Sequence, residues 1–303
     1  MMNSLLSVCD IKDDVKDILD LASKIKAGEM EDKPLEGKTL AMIFQKSSTR
    51  TRVSFDVGMY QLGGRAIFLS SNDLQMGRGE PISDTAKVLS RFVDGIMIRA
   101  INHDDVVELA KHSDVPVING LTDLEHPCQA LADMLTIKEH FGDWKGRKIC
   151  FVGDGNNVSN SLLLIAPLLE MDMALACPKG YEPNEDIVKI AKEYAFENNT
   201  EIIITDDINI ALDNVDAVFT DVWVSMGDEK ETEQRKNDFA PFQVNSDLMS
   251  LANDEAIFLH CLPAIRGQEV TSDVIDGEQS VVFDEAENRM HAQKAVLYYY
   301  LKD

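Results

Sequence analysis

Thr39-Leu40-Ala41-Met42-Ile43-Phe44 runs directly into Gln45-Lys46-Ser47-Ser48-Thr49-Arg50-Thr51-Arg52, and a new apolar-periodic stretch begins at Val53. An uninterrupted apolar run between polar neighbours reads as a strand buried on both faces. A Ser/Thr cluster ahead of an amphipathic stretch reads as a helix start. A strand that passes through such a turn into a helix is the repeating unit of a parallel α/β fold.

The pattern continues in both directions. Residues 12–26 read as a helix before the run. After it come helix Val53–Leu62, strand Ala66–Leu69, helix 84–92, strand Gly95–Ile98, helix 104–112 and strand Val115–Ile118. A long helix over 128–141 leads to the breaker Gly-Asp-Trp-Lys-Gly at 142–146. A second series follows: strand 148–154, helix 158–170, strand 173–176, helix 185–197, strand 201–204, helix 207–212 and strand 216–219. Residues 228–238 are highly charged and are expected to be solvated; a strand over 256–260 and a helix over 285–301 complete the pattern. The prediction is an α/β protein with two similar-sized domains, each with a mainly parallel sheet flanked by helices, linked by interdomain helices. The expected boundaries are 1–141 and 142–284, with 285–303 as a C-terminal helix packing back on the first domain. Strand order is not legible in this pattern.

Composition narrows the function. In 303 residues, 53 Asp and Glu outnumber 29 Lys and Arg, for a net charge of -24. Such a surface repels nucleic-acid backbones and anionic membranes, so neither is expected as a partner. With 45% hydrophobic residues the chain can bury a large core, which excludes a disordered chain. No apolar stretch reaches the roughly eighteen residues a transmembrane helix needs. The start, MMNSLLSVCDIKDD, turns acidic at once and does not read as a secretory signal. Cys9, Cys128, Cys150, Cys177 and Cys261 form no CxxC. A disulfide framework and a thiolate zinc site are therefore not expected, and a reducing, cytoplasmic compartment fits. No histidine pair has HExxH spacing, and neither a metal nor a cofactor is expected.

The chemistry-bearing residues cluster at strand ends. In a parallel α/β domain the carboxyl ends of the strands face the ligand crevice. A helix start there offers unpaired N–H groups and a positive dipole end. Ser48, Thr49 and Thr51 add hydroxyls, and Arg50 and Arg52 add guanidinium groups suited to phosphate. The same residues also fit a helix cap with two surface arginines. The Walker pattern GxxxxGK[ST] is absent, which argues against nucleotide hydrolysis. Arg99 follows the strand Gly95–Ile98. His126-Pro127-Cys128-Gln129 precedes the long helix, where a histidine and a glutamine offer different hydrogen bonds to a planar group; a capped turn fits equally well. Cys128 is expected to start the helix inward rather than to act as a nucleophile.

Ser48-Thr49-Arg50-Thr51-Arg52, then His126-Pro127-Cys128-Gln129, then His260-Cys261-Leu262-Pro263, in this order and spacing, resemble the aspartate/ornithine carbamoyltransferase family. Gly153-Asp154-Gly155-Asn156-Asn157 and Asp221-Val222-Trp223-Val224-Ser225-Met226-Gly227 resemble its ornithine-using branch. The resemblance runs from about residue 4 to the terminal helix. It implies transfer of a carbamoyl group from carbamoyl phosphate to the δ-amine of L-ornithine, giving L-citrulline and phosphate, as in arginine biosynthesis.

The resemblance also implies residue roles. Ser48, Thr49, Arg50 and Thr51 would hold the phosphate, and Arg99 would bridge phosphate and carbonyl oxygen. His126 would address the carbonyl and Gln129 the carbamoyl amino group. Gln75 would reach a neighbouring subunit's site, implying composite sites in a homotrimer and room for assemblies of trimers. Asn157, Asp221, Ser225 and Met226 would bind ornithine. Cys261 would lie beside the attacking amine, with backbone carbonyls at Cys261 and Leu262 holding the carbamoyl amino group, and Arg289 would close over that group. Without the resemblance, Cys261 reads as a buried structural thiol, Gln75 as a loop residue and Asp221 as a helix cap. His260 reads as structural. A carbamoyltransferase of the same family that uses putrescine or another amine or amino acid, and a non-catalytic small-molecule binding protein, remain the alternative readings.

Overall fold

The computed structural model describes residues 4–30, 33–71, 74–224 and 232–302. The chain divides into two compact units: Met1–Leu135 with Glu287–Asp303, and Thr136–Ala286.

The first unit holds helix α1 (Val15–Lys26), strand β1 (Thr39–Phe44), α2 (Thr49–Gln61), β2 (Arg65–Ser70), α3 (Ile82–Leu89), β3 (Gly95–Arg99), α4 (His103–His112), β4 (Val117–Leu121) and the start of α5 (Pro127–Phe141). Its strands form one parallel sheet in the order β2-β1-β3-β4. β1 and β3 are buried almost throughout, which is why Leu40–Phe44 and Gly95–Arg99 carry no outward polar alternation. The outer edge of β4 is covered from the N-terminal side: Leu5 N–H donates to the Val117 carbonyl at 2.9 Å, and Asn119 N–H donates to the Leu5 carbonyl at 2.7 Å. An edge paired in this way offers no template for another strand. β4 starts later than the sequence suggests and runs on through Asn119-Gly120-Leu121, because β3 carries the ladder past the apolar run, with Ile98 opposite Asn119 and Arg99 opposite Leu121.

The second unit holds β5 (Lys148–Val152), α6 (Asn157–Leu168), β6 (Asp172–Ala176), α7 (Glu185–Asn198), β7 (Ile202–Thr205), α8 (Ile208–Leu212), β8 (Ala217–Thr220), α9 (Thr232–Phe239), α10 (Ser246–Met249), β9 (Ile257–His260) and α11 (Ser272–Ile275). Its sheet is also parallel, in the order β7-β6-β5-β8-β9. The last helix, α12 (Val282–Leu301), belongs to the first unit from Glu287 onward. There it packs so closely on β3 that a Cβ built on Gly95 would stand 2.6 Å from Leu301 Cδ2.

Each sheet reverses its winding once. Winding from β1 goes outward to β2 and then back to β3, and winding from β5 goes outward to β7 and then back to β8. At such a switch point the loops leaving adjacent strands part in opposite directions and open a crevice at the carboxyl ends. The first switch point lies where β1 leads to Ser48 and β3 ends at Arg99. The second lies where β5 leads to Gly153–Asn157 and β8 leads to Asp221.

One expectation needs correction. Within the charged stretch 228–238, the residues from Thr232 form a helix whose Glu233, Gln234 and Asn237 are exposed as expected, but whose Arg235 side chain is only 11% exposed. Arg235 and Phe239 on α9 are drawn inward by an ion pair and an aromatic cluster, described below. Among the described residues, no helix is long and apolar enough to cross a membrane.

Candidate active-site half-sites

At the first switch point Ser48 caps α2, its Oγ accepting the Thr51 N–H at 3.3 Å. This serine-cap geometry aims the first turn of the helix at the crevice and satisfies one of its orphan donors. Thr49 is exposed, Arg50 is half-buried and Thr51 is buried. Arg52 turns away, its guanidinium 3.8 Å from the centre of the Phe68 ring. The chain is held at this end by Gln45, whose N–H donates to the Arg99 carbonyl and whose Oε1 accepts the Ile101 N–H at 2.7 Å. That links the ends of β1 and β3 on either side of the crevice.

Arg99, His126, Gln129 and Arg289 are all buried. Arg289, on α12, donates from Nη1 to Gln129 Oε1 at 2.5 Å and from Nη2 to Thr51 Oγ1 at 3.2 Å. Gln129 in turn donates from Nε2 to Asp133 Oδ1 at 2.7 Å. The glutamine amide is thereby fixed: its oxygen faces the guanidinium and its nitrogen faces the carboxylate. Burial holds the His126 imidazole pKa well below its ordinary range, and the charges of Arg289 and Arg99 push it further down. His126 is therefore a neutral imidazole among cations, able to donate one N–H without adding charge. Cys128, two residues on, points into the core. Its thiol donates to the Asn119 carbonyl at 3.5 Å, and burial pushes its pKa up to about 12. A thiol held neutral in this way is not an activated nucleophile. Gln75 is exposed and opens the short 3-10 turn Gln75–Arg78 after β2.

At the second switch point Asp221 is the hub. Its Oδ2 accepts from Asn156 Nδ2 at 2.9 Å, and its Oδ1 accepts from the Val222 N–H at 2.8 Å and from Cys261 Sγ at 3.2 Å. Asn156, not Asn157, makes the side-chain bond to the acid. Asn156 also caps α6, accepting the N–H groups of Val158 at 3.0 Å and Ser159 at 3.1 Å. Asn157 is the first residue of the helix. Gly155 is required by packing rather than by a dinucleotide: a Cβ there would stand 2.2 Å from Pro183 N.

Cys261 and Leu262 follow β9 on a turn tied down by buried groups. The His260 N–H donates to Glu285 Oε2 at 2.8 Å, and the Leu262 N–H donates to His260 Nδ1 at 2.9 Å. With Nδ1 accepting, Nε2 carries the proton and donates to Glu269 Oε1 at 3.2 Å. Leu262 is held at φ 55, in the left-handed region. That conformation costs a leucine about 1–3 kcal/mol and persists where surrounding contacts enforce it. Asp221, His260 and Cys261 bring potential ligand atoms within 4.8 Å of one another. Both imidazole nitrogens are already committed inside the protein, so this triad reads as a hydrogen-bonded cluster rather than a cation cage.

Ser225 and Met226 lie outside the described residues. Asn156, Glu269, Glu285 and Arg235 were not singled out from the sequence. Only Asn156 carried a readable signal, a cap residue just ahead of the apolar run Val158–Leu169.

Comparison with known proteins agrees with this architecture. Residues 3–139 match the family description "Aspartate/ornithine carbamoyltransferase, carbamoyl-P binding domain". Residues 145–300 match "Aspartate/ornithine carbamoyltransferase, Asp/Orn binding domain". The ornithine carbamoyltransferase of Methanobrevibacter smithii is 78% identical over 301 residues, covering 99% of this chain and 100% of that protein. That of Methanothermobacter thermautotrophicus is 61% identical over 302 residues, covering both chains completely. The solved ornithine carbamoyltransferase from Pyrococcus furiosus superposes with a TM-score of 0.95 at 52% identity, over 99% of this chain and 97% of that one. With both units matched and relatives of this similarity running its full length, the chain belongs to the aspartate/ornithine carbamoyltransferase family.

Proposed function

We propose that the chain is an ornithine carbamoyltransferase, transferring the carbamoyl group of carbamoyl phosphate to the δ-amine of L-ornithine to give L-citrulline and phosphate. The observation that carries this reading is the Arg289 fork, which joins Thr51 to Gln129 beside a neutral His126. A dianionic phosphate next to a polar, uncharged carbamoyl group calls for this combination of cations and a neutral donor.

In this reading Ser48, Thr49, Arg50, Thr51 and Arg99 take the phosphate. Thr51, Arg99 and His126 face the carbonyl oxygen, Gln129 and the carbonyls of Cys261 and Leu262 hold the carbamoyl amino group, and Arg289 closes over it. Asn157, Ser225 and Met226 take the amino-acid end of ornithine, and Asp221 takes its α-ammonium. Free alkylamines have a pKa of about 10, so the δ-amine must lose a proton before its lone pair can attack. The cations around carbamoyl phosphate favour that loss, and the Asp221–Cys261 pair is a route for the proton. Attack forms the new C–N bond and places negative charge on the carbonyl oxygen. Collapse then breaks the C–O bond to phosphate, which leaves into the turn at 48–51. No covalent enzyme intermediate is needed.

The reading includes a homotrimer in which Gln75 completes a neighbour's site. It is supported by the exposed edge strand β2 with Phe68 38% exposed, and by Val53 and Tyr60 at 53% and 80% on the adjoining helix α2. An apolar patch along an unpaired edge is a surface suited to burial by another copy. A cytoplasmic location is supported by the five cysteines, none of which forms a disulfide.

The test is an initial-rate assay with carbamoyl phosphate and four acceptors: ornithine, putrescine, aspartate and N-acetylornithine. Ornithine should give the highest kcat/KM. Equal or greater efficiency with any of the others overturns the choice of substrate. Carbamoyl phosphate binding without citrulline formation would favour a binding protein.

A further inference from the structure

Arg235 stands out in an acidic stretch because its charge is turned inward. Its side chain is 11% exposed, and its partner Asp154 is 14% exposed. Nη1 donates to Asp154 Oδ2 at 2.7 Å and to the Trp223 carbonyl at 3.2 Å. The guanidinium also lies 5.1 Å from the centre of the Tyr181 ring. Tyr181 is anchored at both ends: its hydroxyl donates to Asp238 Oδ2 at 2.8 Å, and its carbonyl accepts the Gly155 N–H at 2.9 Å. Phe239 completes the dock, 4.6 Å from the Tyr181 ring and 6.2 Å from Trp223, centroid to centroid.

These contacts have one destination. Asp154 is two residues before Asn156, and Trp223 is two residues after Asp221. Arg235 therefore ties together the two turns that leave β5 and β8, the pair of loops forming the second switch point. Its charge matters as much as its reach. Asp154 and Asp221 are two carboxylates in one small half-site. An ion pair that neutralises Asp154 leaves Asp221 as the acid available to an incoming ammonium group.

We propose that Arg235 is a positioning residue for the amino-acid substrate: by clamping Asp154 and the Trp223 carbonyl it holds Asp221 and Asn156 in register for the α-ammonium. The inference rests on the ornithine reading and extends it to a residue that touches neither substrate. It assigns Arg235 no role toward carbamoyl phosphate.

The experiment compares wild type, Arg235→Met, Arg235→Lys, Asp154→Asn and the double variant in full initial-rate grids over both substrates. Arg235→Met should raise the ornithine KM by at least about tenfold, while kcat stays within about threefold and the carbamoyl phosphate KM within about twofold. Arg235→Lys should recover part of that loss, because it restores the charge on Asp154. The double variant should be better than Arg235→Met alone, because no unpaired carboxylate remains. If Arg235→Met does not fold, Asp154→Asn carries the test, since it keeps the shape and should also raise the ornithine KM. An ornithine KM unchanged in these variants, or a fall in kcat with both KM values moving together, overturns the proposal. A wild type that makes no citrulline sinks the function reading and this inference with it. A normal wild type with unaffected variants sinks the inference alone.

Discussion

Replacing Asp221 by Asn tests the proposed amino-acid half-site most directly. The carboxylate accepts three hydrogen bonds, from Asn156 Nδ2, the Val222 N–H and Cys261 Sγ. An asparagine has one acceptor oxygen and one NH2, so it can keep the Val222 and Cys261 side only by turning its NH2 toward Asn156. Asn156 cannot flip to receive it, because its own oxygen is already bound to the N–H groups of Val158 and Ser159. One bond to a charged acceptor is therefore lost to a donor–donor contact, a cost of about 1.5–3 kcal/mol in stability. The loss in binding is separate. Removing one partner of a hydrogen-bonded charge pair costs about 2–5 kcal/mol, or roughly 30-fold to 5000-fold in kcat/KM for ornithine. The assay pairs ornithine with 5-aminopentanoate, which keeps the attacking amine and the carboxylate but has no α-ammonium. Wild type should prefer ornithine by a factor in that range, and Asp221→Asn should abolish most of the preference. The carbamoyl phosphate KM should hardly change. Equal losses on ornithine and 5-aminopentanoate would refute the α-ammonium assignment, since the acid would then act only on the shared amine, as in the proton route with Cys261, or on the fold.

Arg289→Met should raise the carbamoyl phosphate KM by about 10- to 100-fold through loss of charge-assisted bonds. It should also raise the His126 pKa, read by NMR titration; an imidazole that still stays neutral to the same low pH counts against the electrostatic account. His126 makes the folded state acid-sensitive, because its folded pKa lies below the unfolded value. The unfolded chain binds a proton that the folded chain lacks, so stability present above about pH 6.5 falls by about 1.4 kcal/mol per pH unit below it. Urea unfolding of His126→Gln at a series of pH values should show a shallower decline than wild type, and an unchanged slope would contradict it. Cys128→Ala should retain citrulline formation within about threefold and lose about 1 kcal/mol of stability, whereas a thousandfold loss of turnover would reinstate the thiol as a reacting group. Mixing inactive Gln75→Ala and Arg50→Ala chains under dissociating conditions and then reassembling them should restore part of the activity, because some sites in mixed trimers combine intact halves; no recovery would argue against composite sites.

Much of this molecule could be read from local patterns. The buried strands, their alternation with helices and the polar turns at strand ends are consequences of neighbours in sequence, and Ser48 and Arg99 stand where those patterns imply. What escaped reading depends on contacts between distant residues. Strand order is set by which crossover goes outward, and nothing in a single strand records that. β4 extends beyond its apolar run because Ile98 and Arg99 of β3 pair with Asn119 and Leu121, and its other side is bridged by Leu5, more than a hundred residues away. Asn157 drew attention through its motif, yet Asn156 holds Asp221, because the helix-start geometry turns the cap residue toward the acid. The charged stretch before Phe239 reads as solvated because its side chains are polar, and Glu233, Gln234 and Asn237 are indeed exposed. Only the partner Asp154 shows that Arg235 is not one of them. Glu269 and Glu285 were equally opaque, since a buried acid declares itself through the histidine and backbone N–H groups it receives.

The discontinuity of the first unit bears on synthesis. Arg289 and the rest of Glu287–Asp303 are translated only after all of Thr136–Ala286. At ~5–20 residues per second, that interval lasts on the order of 10–30 s. During it, β3 waits without Leu301 against Gly95, and Thr51 and Gln129 wait without their guanidinium. A nascent chain in that interval carries the turn at 48–51 proposed for phosphate but lacks the arginine proposed for the carbamoyl group. The half-site is thus completed only after the whole of Thr136–Ala286 has been made, so chains stalled before Glu287 should be inert toward carbamoyl phosphate and exposed to proteolysis.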